Sequence, residues 1–435
     1  MADDLSLQLP RSLHLEEDSP ISTSQNNAVL KMSHISRLPV ELMGKIFIYV
    51  WKQHAYDDHR ERCSARFNLR YVSEYWNQIA VDMPLLWTEI YISREQCMCP
   101  EITTLLNRSQ SRPLDIIIMP VQSDPVVLKQ LAEILPPRAP EKKWRTLKVF
   151  GPAPFLDLTM PSLQQLSELV AKDAQMNWQA ASFQTLTALV LDYQKRQPEG
   201  LDLPKLLDIL ESCSGLETLR VRGACLVDQS STKALSAVTL PVLHTLGISG
   251  TMGEFQMSFA FALMSSLIIP HLHTLSLHLV SEATNSRFLD VLSTPVADGT
   301  APILRSVKTL LLNVTDCSRD ALHKFFGELR ELELLSVDNW TMKDIAPALT
   351  EAGAETIPNL TTIAWTGHWE MAESLQKVLT YRRGIDKPVL KLILNEKDAQ
   401  LHTSESQTNI WPQEVITELV PDTDELFELA GLSSL

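Results

Sequence analysis

The chain has few cysteines and no long apolar run. Its six cysteines stand at positions 63, 97, 99, 213, 225 and 317, and no two of them form a CxxC pair. This spacing argues against a disulfide framework and against a zinc knuckle, so reduced thiols are expected. The N-terminus lacks the apolar core of a secretory signal, and no stretch approaches the roughly 18 apolar residues of a membrane span. We therefore expect an intracellular protein, cytoplasmic and/or nuclear, with no membrane partner.

Catalytic motifs are also missing. The sequence contains no GxSxG, no P-loop, no HExxH and no GxGxxG pattern. His271, His273 and His278 surround one predicted strand, but no carboxylate or cysteine stands at ligand spacing beside them. We therefore predict no catalytic residue, no metal site and no cofactor, and a protein that is not an enzyme. An unrecognised hydrolase is the alternative, although no nucleophile and base pair stands out.

Basic residues are outnumbered. The chain carries 38 Lys and Arg against 53 Asp and Glu, a formal charge of -15, which argues against a nucleic-acid partner. Eight acidic residues and no Lys or Arg fall between positions 398 and 435, so residues 397–435 are predicted to form an acidic tail. Residues 1–33, rich in Ser, Asp, Gln and Asn, are predicted to be disordered.

What the chain does contain is a repeated pattern, L-x-x-L-x-L. It occurs seven times, and the first positions are on average 29 residues apart. The seven copies begin at Leu186, Leu216, Leu243, Leu272, Val307, Leu332 and Leu360. Amphipathic helical patterns lie between copies, for example at Leu203–Leu210 and Ala321–Phe326. We therefore predict that each repeat folds as a strand, a turn and a helix.

This pattern resembles a leucine-rich repeat, at the upper end of the usual repeat length. The resemblance implies a curved α/β solenoid over residues 93–396, with a parallel sheet on its inner surface. The Asn or Cys that usually follows the pattern is absent, so we expect an irregular arc. An ordinary α/β domain with buried parallel strands is the alternative.

Side chains alternate between the two faces of a strand. If the second and third pattern positions enter the core, the residues directly before, between and after them lie on the open face of the sheet. Among these, the candidate target-binding residues are Arg220, Arg222, His278, Asn313 and Asp338. They predict a surface that runs from basic to acidic. The two arginines suit an acidic or phosphorylated partner segment, or they are simply solvated.

The N-terminal part is predicted to be helical. Leu42, Ile46 and Val50 recur at helical spacing after Pro39, and a second amphipathic helix is predicted from Leu69 to Ile79. So small a unit is marginally stable alone and usually gains stability from a partner. An ordinary helical hairpin that caps the rest of the chain is the alternative.

Residues 34–92 resemble an F-box, and in particular a large fungal F-box family. The match covers Leu38-Pro39, Glu41-Leu42, Ile46-Phe47, Val72, Trp76, Ile79-Ala80, Pro84 and Leu86-Trp87. The resemblance implies that Leu38, Pro39, Leu42, Ile46, Phe47, Val72, Trp76 and Ile79 bind the adaptor subunit of an SCF-type cullin-RING ubiquitin ligase, and through it the cullin. The implied function is recruitment of an unknown target protein for ubiquitin-dependent degradation. The alternative is an F-box scaffold or inhibitor that acts outside a ligase.

Overall fold

The chain is an α/β protein with ten helices and one large parallel sheet that does not close, in the part of it that the computed structural model describes. That part comprises residues 35, 38–53, 59–92, 99–119, 144–151, 165–174, 176, 178, 183–193, 201–223, 236–250, 254–279, 284–295, 302–351, 356–366, 372–395 and 415–420. The predicted disordered segment 1–33 lies outside these residues.

Within the described ranges this sheet contains thirteen strands, and each is hydrogen-bonded to the next member of the same sheet in chain order. Val238–Thr239 (β7) and Leu267–Ile268 (β9) pair separately as a two-stranded sheet. The thirteen are Glu89–Ile92 (β1), Leu114–Ile118 (β2), Trp144–Phe150 (β3), Glu168–Lys172 (β4), Ala188–Tyr193 (β5), Thr218–Gly223 (β6), Thr245–Gly250 (β8), Thr274–Leu279 (β10), Thr309–Val314 (β11), Leu334–Asp338 (β12), Thr362–Thr366 (β13), Lys391–Asn395 (β14) and Ile416–Val420 (β15).

The helices fall into an N-terminal group and a series between strands. The first group is Val40–Gln53 (α1), His59–Tyr71 (α2) and Glu74–Val81 (α3), followed by a 3-10 turn at Pro84–Trp87. The series is Cys99–Arg108 (α4), Leu203–Ser212 (α5), Glu254–Met264 (α6), Asn285–Leu292 (α7), Arg319–Glu328 (α8), Asn339–Glu351 (α9) and Ala372–Gly384 (α10), with a 3-10 turn at Ile303–Ser306. Side-chain caps fix several starts: Asp202 accepts from the Lys205 N–H and Ser318 from the Ala321 N–H.

All seven pattern copies form strands, and their second positions align across the sheet. Leu246 is opposite Leu219 and Leu275, and the alignment continues through Leu310 and Leu335. The second and third pattern positions are all at least 95% buried, in the same core as the helices between the strands. The period-two prediction of which side chains enter the core is therefore confirmed.

Main-chain hydrogen bonds join neighbouring copies at the start of the strands. The carbonyl of Glu217 accepts from the N–H groups of His244 and Thr245, and the carbonyl of His244 accepts from those of His273 and Thr274. The same double acceptance repeats at His273, Lys308, Glu333 and Thr361. Because neighbouring copies satisfy each other's backbone groups, adjacent strands are locked in register without a side-chain ladder.

The second N-terminal helix is not continuous, contrary to the prediction of one helix from Leu69 to Ile79. α2 ends at Tyr71, and α3 starts after Ser73, whose hydroxyl accepts from the Trp76 N–H at 3.1 Å. The backbone of Ser73 is extended, and a serine that caps a new helix in this way ends the preceding one.

The sheet extends past the predicted limits of the repeat region. β1 lies inside residues 34–92, which were assigned to the helical unit, and β15 lies inside the predicted acidic tail, where it pairs in parallel with β14. No helix among the described residues combines the length and apolarity needed to cross a membrane.

Candidate functional site

Exposed apolar side chains are concentrated in the N-terminal helices. Twelve large apolar residues are exposed in the described part of the chain, and nine of them fall between positions 35 and 85. Scattered exposed apolar residues are ordinary, whereas a contiguous exposed apolar patch is typical of an interaction site. These nine residues, grouped by their position in the chain, are called the N-terminal apolar surface: Ile35, Val40, Leu42, Ile46, Tyr49, Tyr71, Val72, Tyr75 and Leu85.

Helix α1 divides its apolar residues between two faces. Met43, Phe47 and Trp51 recur every fourth residue and are buried in the core. Leu42 and Ile46, one position earlier in each turn, are 45% and 40% exposed. The helix therefore packs on the core with one stripe and presents the next stripe outward.

The eight predicted adaptor-binding residues are not all on this surface. Leu42, Ile46 and Val72 are exposed members of it, and Pro39 is exposed beside them. Leu38 and Trp76 are half-buried and pack against the core, with the Trp76 ring 5.0 Å from that of Phe47.

Phe47 and Ile79 are core residues, with exposed fractions of 0% and 6%. The sequence pattern did not distinguish them from the outward residues because both stripes of an amphipathic helix are apolar here. A partner cannot contact them directly, since their side chains are already covered by the chain itself.

A cavity of about 350 Å³ opens on the face of the sheet that the helices leave open. We call it the inner-face cavity. Strands β4 to β6, β8 and β10 to β13 line it with Lys172, Val190, Leu191, Asp192, Arg220, Val221, Arg222, Gly247, Ile248, Ser249, Ser276, Leu277, His278, Leu311, Leu312, Asn313, Ser336, Val337, Asp338 and Thr366.

The cavity brings together all five predicted target-binding residues. Arg222, His278, Asn313 and Asp338 occupy one row across the strands, because Arg222 is opposite Ser249, Ser249 is opposite His278, and His278 is opposite Asn313. Arg220 lies in the parallel row two residues nearer the start of its strand. The five residues therefore line one cavity, and their role in binding a target stays a prediction.

The basic end of the row contains a buried carboxylate. Asp192 lies between Lys172 and Arg222, with a carboxylate oxygen 3.8 Å from Nζ of Lys172 and 4.0 Å from Nη1 of Arg222. Both cations are partly exposed while Asp192 is 5% exposed. The predicted run from basic to acidic is therefore interrupted by a negative charge that two cations share.

Burial changes the protonation behaviour of two lining residues. Desolvation lowers the pKa of His278, and the nearby positive charge of Arg222 lowers it further against an opposing effect of Asp338. The lowered pKa favours the neutral imidazole of His278. Burial also lowers the pKa of Arg220, which remains charged but loses much of its hydration.

Asp338 has a structural role at the acidic end. Its carboxylate accepts from the Thr341 N–H at 2.8 Å, at the first turn of α9. Trp340, two residues further on, is 58% exposed. Lys172 was not among the predicted site residues, although it occupies the same offset in its strand as Arg222.

The two surfaces together are suited to binding. Among the described residues, no group of three or more His, Cys, Asp or Glu side chains is placed to hold a metal ion. The cavity offers partly desolvated cations and hydroxyls on a rigid sheet, and the N-terminal helices offer apolar area. Neither a scan against protein-family models nor a search of the curated proteins found a match to this chain.

Proposed function

We propose that the chain is the substrate-recruiting receptor subunit of an SCF-type cullin-RING ubiquitin ligase. In this proposal residues 34–92 are an F-box that docks on the adaptor, and the parallel sheet is a leucine-rich-repeat-like solenoid that holds the target protein. The observation that carries the proposal is the N-terminal apolar surface, which holds nine of the twelve large apolar residues that are exposed in the described part of the chain.

The exposed apolar side chains can contribute to docking. Complete burial of a large apolar side chain is worth roughly 1.5 to 3 kcal/mol of transfer free energy, and Leu42, Ile46 and Val72, which are 40% to 58% exposed, would each contribute a part of that. Three aromatic rings, Tyr49, Tyr71 and Tyr75, add the residue type that dominates interface energetics.

The solenoid part of the proposal is supported by the strand order and the register. Thirteen parallel strands follow one another in chain order, and the pattern leucines of the seven copies align. Repeats that contact only their neighbours give one continuous open face, which is a large and rigid binding surface.

Such a receptor carries out no bond chemistry. It would hold a target lysine near the ubiquitin-charged conjugating enzyme on the same scaffold and thereby raise the effective concentration of the two reactants. The N-terminal helices and the sheet are rigidly connected because they share one continuous core, from Met43 to Leu394. Docking at one end would therefore fix the position of the inner-face cavity.

The test is the double substitution Leu42→Asp and Ile46→Asp. Both side chains are exposed, so the fold should be retained, but two carboxylates would be desolvated in the interface. We expect affinity for the adaptor to fall by about 100-fold or more, measured by calorimetry with purified adaptor. The thermal midpoint should stay within about 2 °C of the unsubstituted chain.

A matched control is Lys343→Glu on α9, which changes the net charge by the same two units at an exposed position of an outer helix. Adaptor binding should be unaffected by it. Unchanged adaptor affinity in the double variant would refute the docking proposal. Purification of the chain from its native host separates the alternatives: recovery of adaptor with cullin supports the ligase subunit, and adaptor without cullin supports a scaffold or inhibitor.

A further inference from the structure

Two arginines lie over the indole ring of Trp87, and a third lies close to them. Arg66 is in α2 and Arg108 is the last residue of α4, and their guanidinium carbons are 5.9 Å and 4.6 Å from the centre of that ring. Arg70 follows Arg66 by one helical turn. Burial lowers the pKa of Arg108, and the charge of Arg70 lowers it further, so these two guanidinium groups are close enough to repel each other.

Trp87 is a rigid support for this cluster. Its side chain is fully buried, and its Nε1–H donates to the carbonyl oxygen of Ala80 at 2.8 Å. The ring of Phe67 packs edge-on against it, with the ring centres 5.9 Å apart. A guanidinium group that already lies over a fixed aromatic ring loses little further freedom when it binds a ligand.

The three arginines differ in how far the protein itself uses their donors. Arg66 donates from Nη1 to the carbonyl oxygen of Glu89 at 2.6 Å. Arg70 donates from Nε to Oδ1 of Asn77 at 2.9 Å, which orients the guanidinium group and leaves both terminal nitrogens available. Arg108 makes no hydrogen bond to the described residues: its Nη1 is buried without an acceptor, and its other nitrogens are not buried. Arg70 and Arg108 therefore keep donors for another molecule.

The positive charges of this pair are not balanced by a carboxylate. Among the described residues no Asp or Glu forms an ion pair with Arg70 or Arg108. Each arginine is in the last turn of its helix, where the backbone carbonyl groups favour a positive charge, so the fold tolerates the pair. An anion that binds both side chains would replace their mutual repulsion with charge-assisted hydrogen bonds.

We propose that Arg70 and Arg108 form a binding site for one phosphoryl group in its dianionic form. The two side chains supply two positive charges, and a phosphate monoester brings nearly two negative charges at pH 7 together with three acceptor oxygens. The planar fork of each arginine can donate parallel hydrogen bonds to such oxygens, whereas a single carboxylate would leave one positive charge unpaired. This site goes beyond the proposed function, because it involves neither adaptor docking nor the inner-face cavity.

The first experiment is calorimetry with the purified full chain in a phosphate-free buffer of low ionic strength. The probes are inorganic phosphate, the N-acetyl amide of phosphoserine, sulfate and acetate. We expect at least one phosphoryl ligand to bind at one site per chain with a dissociation constant of about 1 mM or less, and acetate to bind about tenfold more weakly. Tighter binding of the phosphoserine amide identifies a phosphorylated side chain as the source of the group, and tighter binding of inorganic phosphate identifies the free ion.

The pH dependence of binding tests the charge of the ligand. The second pKa of phosphoserine is about 6, so most of the ligand carries a single charge at about pH 5. Sulfate keeps both charges in this range, and the two arginines stay protonated. Binding of the phosphoserine amide should therefore weaken by about fivefold or more between about pH 7.5 and about pH 5, relative to binding of sulfate. This comparison needs no variant, so a folding defect cannot affect it.

Two substitutions test which residues hold the ligand. Arg70→Gln and Arg108→Gln each remove one charge and keep a hydrogen-bonding side chain, and each should weaken binding of the tighter phosphoryl ligand by about tenfold or more. The matched control is Arg319→Gln, the same change at an exposed arginine of α8 that pairs with Glu351, and it should bind as the unsubstituted chain does. About 20 mM of the ligand should raise the thermal midpoint of the control but not those of the two site variants.

The proposal is overturned if neither phosphoryl ligand binds saturably, if the phosphoserine amide and sulfate respond alike to pH, or if both site variants bind as the control does. These outcomes are separate from the fate of the proposed function, because no measurement uses the adaptor or a target protein. The Leu42→Asp, Ile46→Asp double variant should bind the phosphoryl ligand normally even though it no longer binds the adaptor.

Discussion

Cys213 is a thiol that its surroundings hold in the neutral form. It is fully buried at the end of α5, and its Sγ–H donates to the carbonyl oxygen of Phe183 at 2.9 Å. Burial raises the pKa of this thiol to about 11, against 9.0 for a free cysteine, and the Ser212 hydroxyl opposes the shift only slightly. The cysteine is therefore a structural residue and a poor nucleophile at neutral pH.

The raised pKa predicts a loss of stability in alkaline solution. Above pH 9 the unfolded thiol ionises while the folded one keeps its proton, so the contribution of Cys213 is complete below pH 9 and is lost as the pH rises toward 11. We expect the gap in unfolding free energy between the unsubstituted chain and Cys213→Ala to shrink by about 1 kcal/mol between pH 8 and pH 10. Urea titrations measure this gap, and a constant gap would contradict the predicted ionisation.

The two faces of a strand contribute unequally to the stability of the fold. In β10, Leu275 is fully buried under the helices, whereas Ser276, its neighbour, faces the inner-face cavity. Leu275→Ala should lower the unfolding free energy by about 2 to 5 kcal/mol because it leaves a void in a packed core. Ser276→Ala should change it by less than about 0.5 kcal/mol. Chemical denaturation of the two variants makes the comparison, and equal losses would contradict the observed orientation of the strand.

At the scale of elements, the sequence predicts strands better than helix boundaries. The L-x-x-L-x-L pattern located seven strands and their buried faces because a period of two leaves little freedom once the leucines are placed. The break at Ser73 was missed because the apolar spacing of Leu69, Val72, Trp76 and Ile79 fits one continuous helix, while the break depends on one hydroxyl cap.

The candidate site was predictable in its members but not in its shape. Arg220, Arg222, His278, Asn313 and Asp338 follow from strand periodicity alone. The depth of the cavity depends on how the Arg220 stem lies over Gly247, and the ion pairs of Asp192 depend on register with β4. These are relations between strands, and no local pattern in the sequence encodes them.

At the scale of the whole molecule, β15 is the last strand of the sheet among the described residues, and it lies in the predicted acidic tail. Lys391 on β14 pairs with Glu418 on β15, and the two strands are hydrogen-bonded in parallel. A chain that ends at Asn395 would expose the edge of β14, with unpaired backbone groups that favour aggregation.

Two truncations test this role. The chain ending at Asn395 should unfold roughly 5 °C lower than the full chain and scatter more light on heating. The chain ending at Val420 lacks four of the eight acidic residues of the tail but keeps β15, so its midpoint should match that of the full chain. Equal midpoints for both truncations would show that β15 contributes nothing to stability.

The order of the strands also has a consequence for how fast the chain folds. Adjacent strands from β5 to β13 come from copies that are on average 29 residues apart in a chain of 435, so the relative contact order is about 0.07 or lower. Each strand therefore meets its neighbour through a short loop closure, which costs little more entropy than closing a single repeat. Folding that starts in any one copy can then spread to the copies on either side, strand by strand along the chain.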